Sequence, residues 1–131
     1  MPALEERKIV LVVDDNQAIR ENIGECLELE GYLCWLAPSA DEALLRLERE
    51  MRTPSAVLLD LKMPGMPAAS FVRALKQQPR WSQVPIILTT AALESDVPKD
   101  LAFDALLPRP FDVTRLLELV QATSAGAERT P

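Results

Sequence analysis

Apolar residues in this chain follow two rhythms. Short unbroken runs, Ile9-Val10-Leu11-Val12-Val13, Ala56-Val57-Leu58-Leu59 and Pro85-Ile86-Ile87-Leu88-Thr89, have the length and β-branched character of strands buried on both faces of a parallel sheet. Tyr32 to Leu36 reads as a further strand, and Ala105-Leu106-Leu107 as a minimal fifth. Between these runs the apolar positions recur at the helical period. Asn16 is a good N-cap for a helix carrying Ile19, Ile23, Cys26 and Leu27, and Gly31 stops it as a C′ residue. Ser39 with Glu42 makes a capping box for a second helix, with Ala40, Leu44, Leu47 and Met51 on one face. A third helix carries Phe71, Val72 and Leu75 and ends before Pro79; Asp112 caps a last one with Val113, Leu116, Leu117 and Val120 inward. The segment Glu94 to Leu101 is ambiguous, because Pro98 permits only a short helix starting near itself. Trp35 and Trp81 are expected at sheet or helix margins.

A β-α unit repeated five times implies an α/β fold: a parallel sheet with right-handed connections and helices on both faces. At 131 residues there is room for one domain with a proper core and not for two. Residues 1–7 read as an N-terminal extension, 8–123 as the domain, and 124–131 as a flexible tail.

Two of the strands end in bare aspartates, Asp14-Asp15 and Asp60. Ligands of open α/β sheets bind outside the carboxyl ends of the strands. If these strands are neighbours, the three carboxylates share one crevice and repel one another, an arrangement stable only with protonation or a bound cation. Oxygen-only donors suit Mg²⁺ or Mn²⁺.

Composition removes other chemistries. The chain has no histidine, which excludes Ser-His-Asp and Cys-His catalysis and His-ligated zinc. Its only four glycines, Gly24, Gly31, Gly65 and Gly126, form neither GxGxxG nor a Walker A loop. A net charge of −6, with no Lys/Arg cluster longer than a pair, argues against direct binding of nucleic acid. No apolar run approaches the roughly 20 residues of a membrane helix, and the N-terminus is too acidic for a secretory signal. Cys26 and Cys34 lack CxxC spacing and are expected to be buried free thiols of a cytoplasmic protein.

Val13-Asp14-Asp15-Asn16, Leu59-Asp60-Leu61-Lys62-Met63-Pro64-Gly65-Met66, Ile87-Leu88-Thr89-Thr90-Ala91 and Arg109-Pro110-Phe111-Asp112 occur in this order within the (βα)₅ pattern. Together they resemble the receiver domain of two-component response regulators, over about residues 8 to 123. The resemblance implies a flavodoxin-like doubly wound sheet of order 2-1-3-4-5. It also implies that Asp60 is the phosphoacceptor, and that Asp15, supported by Asp14, holds Mg²⁺ together with Asp60 and the backbone carbonyl of Lys62. Thr90 would hydrogen-bond the phosphoryl group. Such a domain takes phosphate from a histidine kinase or phosphotransfer protein and signals to a downstream protein target. It is a phosphoacceptor that assists its own phosphorylation and dephosphorylation, and not a conventional enzyme.

Three features depart from the family pattern. Arg109 stands where the family places lysine, which keeps the charge but replaces a compact ammonium with a planar, bidentate group. The family's cis peptide is expected at Arg109-Pro110. The aromatic switch position of the fifth strand is Leu106, with no ring to rotate. The stretch from Thr90 to Arg109 is about one helical turn short, so the helix between the fourth and fifth strands is expected to be short or irregular. All three fall on the output and dimerisation side, which leaves a homodimer open. They also favour an alternative: a degenerate receiver that binds proteins without a productive phosphorylation cycle. An aspartate-nucleophile phosphohydrolase needs a second acid two residues after Asp60, and Lys62 occupies that place.

Overall fold

Five of these apolar runs become the strands of one parallel sheet in the computed structural model, which describes residue 3, residues 6–91 and residues 97–128. The strands are β1 (Ile9–Val13), β2 (Leu33–Ala37), β3 (Ala56–Asp60), β4 (Ile86–Thr90) and β5 (Ala105–Pro108). Their order across the sheet is β2-β1-β3-β4-β5, all pairs parallel. The described helices are α1 (Gln17–Leu29), α2 (Ala40–Arg49), α3 (Ala68–Gln77) and α4 (Val113–Glu128). This is the expected flavodoxin-like architecture. Because strand side chains alternate, each central strand feeds two cores. Ile9, Leu11, Val57, Leu59, Ile86 and Leu88 pack under α2 and α3. Val10, Val12, Leu58, Ile87 and Leu107 pack under α1 and α4.

Capping sets the helix starts as the sequence predicts. The Asn16 side chain accepts the Ile19 N–H at 3.0 Å, the Ser39 hydroxyl accepts the Glu42 N–H at 3.2 Å, and Asp112 accepts the Arg115 N–H at 2.8 Å. Gly31, after α1, takes a φ of 95°, which a side chain would resist. The Arg109-Pro110 peptide is cis.

Several expectations need correction. Met51 is 95% exposed, because α2 ends at Arg49 and Glu50 turns extended, so the apolar face stops before it. Val113 is half exposed at the first residue of α4, where it borders an open groove instead of the core. Trp35 and Trp81 are both buried in the core under α2 and α3, with the Arg46 guanidinium stacked 5.1 Å from the Trp35 ring centre. Cys26 and Cys34 are free but only half-buried. The supposed tail begins as helix: α4 runs to Glu128, and Ser124 is buried. Residues 92–96 of the ambiguous stretch lie outside the described residues, and residues 97–104 carry no helix.

Candidate functional site

Parity decides which side chains meet at the carboxyl edge of the sheet. Val12 enters the layer under α1 and α4, so Asp14, two residues on, faces the same side. Leu58 sets the same direction for Asp60, Ile87 for Thr89, and Leu107 for Arg109. Register aligns them: Val13 pairs with Leu59, Asp60 with Thr89, and Thr89 with Leu107. Four polar side chains from four strand ends thus converge on one crevice. Asp15 borders it from the loop before α1.

Carboxylate oxygens of Asp14, Asp15 and Asp60 lie within 4.8 Å of one another. Asp14 and Asp60 are buried and Asp15 is exposed, so the cluster opens to solvent on the Asp15 side. Asp14 is heavily engaged. Its Oδ1 accepts the Asn16 N–H at 2.9 Å, its Oδ2 accepts from Arg109 Nη2, and its backbone carbonyl accepts from Arg20 Nη1 at 2.7 Å. Asp60 Oδ1 accepts the Lys62 N–H at 3.2 Å, which ties the following loop to the acidic cluster. Arg109 Nη2 also donates to Thr89 Oγ1 at 3.1 Å, and the Arg109 backbone N–H donates to the Thr90 carbonyl at 2.8 Å. Its Nε is buried with no hydrogen-bond partner among the described residues.

Burial pushes the Asp60 carboxyl up from its ordinary 3.8 to about 6; the Arg109 charge pulls it down, Asp14 raises it, the Lys62 backbone bond lowers it and Asp15 raises it. One guanidinium does not offset three carboxylates. A crowded, partly desolvated, oxygen-only donor set fits a hard divalent cation such as Mg²⁺.

The structure therefore gathers Asp14, Asp15, Asp60 and Arg109, with Lys62 on the adjoining loop and its side chain exposed. Thr90 is buried at the end of β4, where alternation turns its side chain toward the layer of α2 and α3. Leu106 packs half-buried in that layer, its backbone opposite Leu88. Sequence reasoning missed Thr89 and Arg20. The signal for Thr89 was a polar residue inside a doubly buried strand; its partner emerges only once the sheet order is known.

Beside the cluster, α1 and the start of α4 enclose an apolar groove of about 500 Å³, lined by Ile19, Ile23, Cys26, Phe111 and Val113 and reaching Arg109.

Comparison with known proteins agrees with this geometry. The sequence pattern of the response regulator receiver domain matches residues 10–121. The chain belongs to this family. It is 36% identical over 115 residues to an uncharacterized 14.6 kDa protein of Leptolyngbya boryana, covering 86% of each chain. It is also 34% identical to the DNA-binding transcriptional regulator NtrC of Salmonella typhimurium (88% of this chain, 24% of that one). With the phosphate regulon regulator PhoB of Pseudomonas aeruginosa it shares 32% identity (95% of this chain, 56% of that one). The chain thus spans about a quarter of NtrC and about half of PhoB. Among solved structures, a CheY-like receiver domain protein from Methanospirillum hungatei superposes with a TM-score of 0.82 at 28% identity, covering 95% of this chain and 98% of that one. The receiver domain of a sensor histidine kinase from Pseudomonas aeruginosa, solved with a magnesium ion coordinated in its active-site cleft, gives 0.82 at 27% identity, covering 91% and 98%. No described helix is long and apolar enough to cross a membrane.

Proposed function

We propose that this receiver domain accepts a phosphoryl group on Asp60 in a two-component phosphorelay, with Mg²⁺ held by Asp14, Asp15, Asp60 and the Lys62 backbone carbonyl. The reading rests on one observation: three carboxylates from the ends of two neighbouring strands, β1 and β3, lie within 4.8 Å of one another. Mn²⁺ satisfies the same oxygen donors. A bound divalent cation supplies the positive charge that relieves repulsion between an attacking carboxylate and the phosphoryl oxygens.

The chain's own residues do the rest. Asp60 attacks the phosphorus of a phosphohistidine; the new P–O bond forms as the P–N bond breaks, and the imidazole leaves and recovers a proton from solvent. The buried Nε of Arg109 is one donor for phosphoryl oxygens; the Thr90 hydroxyl, which leaves the last residue of β4 on the opposite face, is the second once it turns over the strand end toward Asp60. The acyl phosphate adds charge and acceptor oxygens at the sheet edge, which biases the surface read by a downstream protein. The domain assists its own phosphorylation and dephosphorylation without being an enzyme on a separate substrate. Its donor is a histidine kinase or phosphotransfer protein, in the cytoplasm. A donor helix seated in the apolar groove beside Arg109 brings its phosphohistidine within reach of Asp60.

A second reading, a degenerate receiver that binds partners without phosphorylation, draws on Arg109 already being bonded to Asp14 and on the missing ring at Leu106. Calorimetry with Mg²⁺ and beryllofluoride, a phosphoryl mimic, separates the two. The phosphoacceptor reading expects saturable binding that Asp60→Asn abolishes. Absence of binding in the wild type favours the degenerate receiver.

A further inference from the structure

Arg109 meets a second buried polar side chain besides the acidic cluster, that of Thr89. Thr89 lies in a strand whose one other residue facing α1 and α4, Ile87, is aliphatic, and it is 2% exposed. A hydroxyl in such a place is costly unless it is bonded. Its partner is Arg109 Nη2, 3.1 Å from Oγ1, the same nitrogen that donates to Asp14. That nitrogen carries two protons and has two acceptors, so both are satisfied. A planar guanidinium on a long stem has several ways to lie over the sheet edge, and two fixed acceptors on one nitrogen leave few of them.

We propose that Thr89 is a positioning residue that seats the Arg109 guanidinium on Asp14, and so sets how readily the acidic cluster admits a divalent cation. The consequence for the cation rests on the phosphoacceptor reading above; the seating itself does not. With Thr89 in place, Asp14 is held in an ion pair that an incoming cation has to share or displace. Remove the hydroxyl and the guanidinium yields more easily.

The variants are Thr89→Val, which keeps the shape and β-branching suited to a buried strand, and Thr89→Ser, which keeps the acceptor. Two readouts are taken on the whole chain. The first is the NMR signal and solvent exchange of the Arg109 Nε–H in chelator, which report whether the guanidinium is fixed. The second is Mg²⁺ affinity by calorimetry. In wild type and Thr89→Ser the Nε–H is expected to be sharp and slowly exchanging; in Thr89→Val it broadens or exchanges quickly. Thr89→Val is expected to tighten Mg²⁺ binding by roughly three- to tenfold, the worth of one hydrogen bond, and Thr89→Ser to restore the wild-type value. In an Arg109→Lys background the same Thr89→Val change has no effect on affinity. An unchanged Arg109 signal in Thr89→Val overturns the seating. So does a change in affinity that persists undiminished without the arginine. Should the wild type bind no Mg²⁺ while the Arg109 signal still responds to Thr89→Val, the seating stands and the phosphoacceptor reading fails.

Discussion

The guanidinium of Arg109, just past β5, is bonded to the carboxylate of Asp14 at the end of β1, across the ends of β3 and β4. The side chains are 18% and 2% exposed, so this is a largely desolvated ion pair. It closes the crevice from one side and leaves Asp15 and Asp60 to face whatever enters from the other.

Removing one partner of such a pair strands the other charge. Arg109→Gln is expected to lower stability in chelator by on the order of 2–4 kcal/mol, measured by urea denaturation. Mg²⁺ at saturating concentration is expected to recover part of that loss by binding the folded state. No loss in chelator would mean that solvent already screens Asp14.

Asp60 supplies a pH dependence whose sign is fixed by burial. Its folded-state carboxyl titrates near 6, against an ordinary 3.8, so the folded chain holds this proton more tightly than the unfolded chain. The contribution of Asp60 to stability is therefore most favourable below about pH 4, declines between about pH 4 and 6, and is flat above. The full rise corresponds to at most about 3 kcal/mol, which solvent at the crevice mouth reduces to on the order of 1–2 kcal/mol. Asp60→Asn, in chelator at pH 7.5, is expected to be more stable than wild type by that amount, with the difference gone at pH 4. A constant difference across this range would contradict the assigned desolvation.

Val113 tests the groove separately from the chemistry. It is 48% exposed at the first turn of α4, where a glutamate suits the helix N-terminus. Val113→Glu is expected to slow phosphotransfer from a phosphohistidine protein by about tenfold or more, while the rate with a small phosphodonor is unchanged. Equal slowing of both would place the effect at Asp60 and not at a docking surface.

How far the sequence could be read depended on the range of each interaction. The strands of Val10, Leu58 and Ile87, and the caps at Asn16, Ser39 and Asp112, are local signals, and they appear where the pattern puts them. The grouping of Asp14, Asp15 and Asp60 followed from strand ends plus a family resemblance, which supplied the sheet order. Thr89 was hidden because its role depends on the neighbour across β4 and β5. Trp35 misled because β2 is an edge strand, yet α2 and the Arg46 guanidinium cover its ring. Met51 and Ser124 misled for opposite reasons: an apolar residue fell just past a helix end, and a polar one lay inside a helix that continued.

Intact-mass measurement after incubation with acetyl phosphate and Mg²⁺ tests the central claim most directly. The wild type is expected to gain one phosphoryl group, a gain lost with chelator and absent in Asp60→Asn. An unchanged mass in the wild type, or an equal gain in Asp60→Asn, would contradict it.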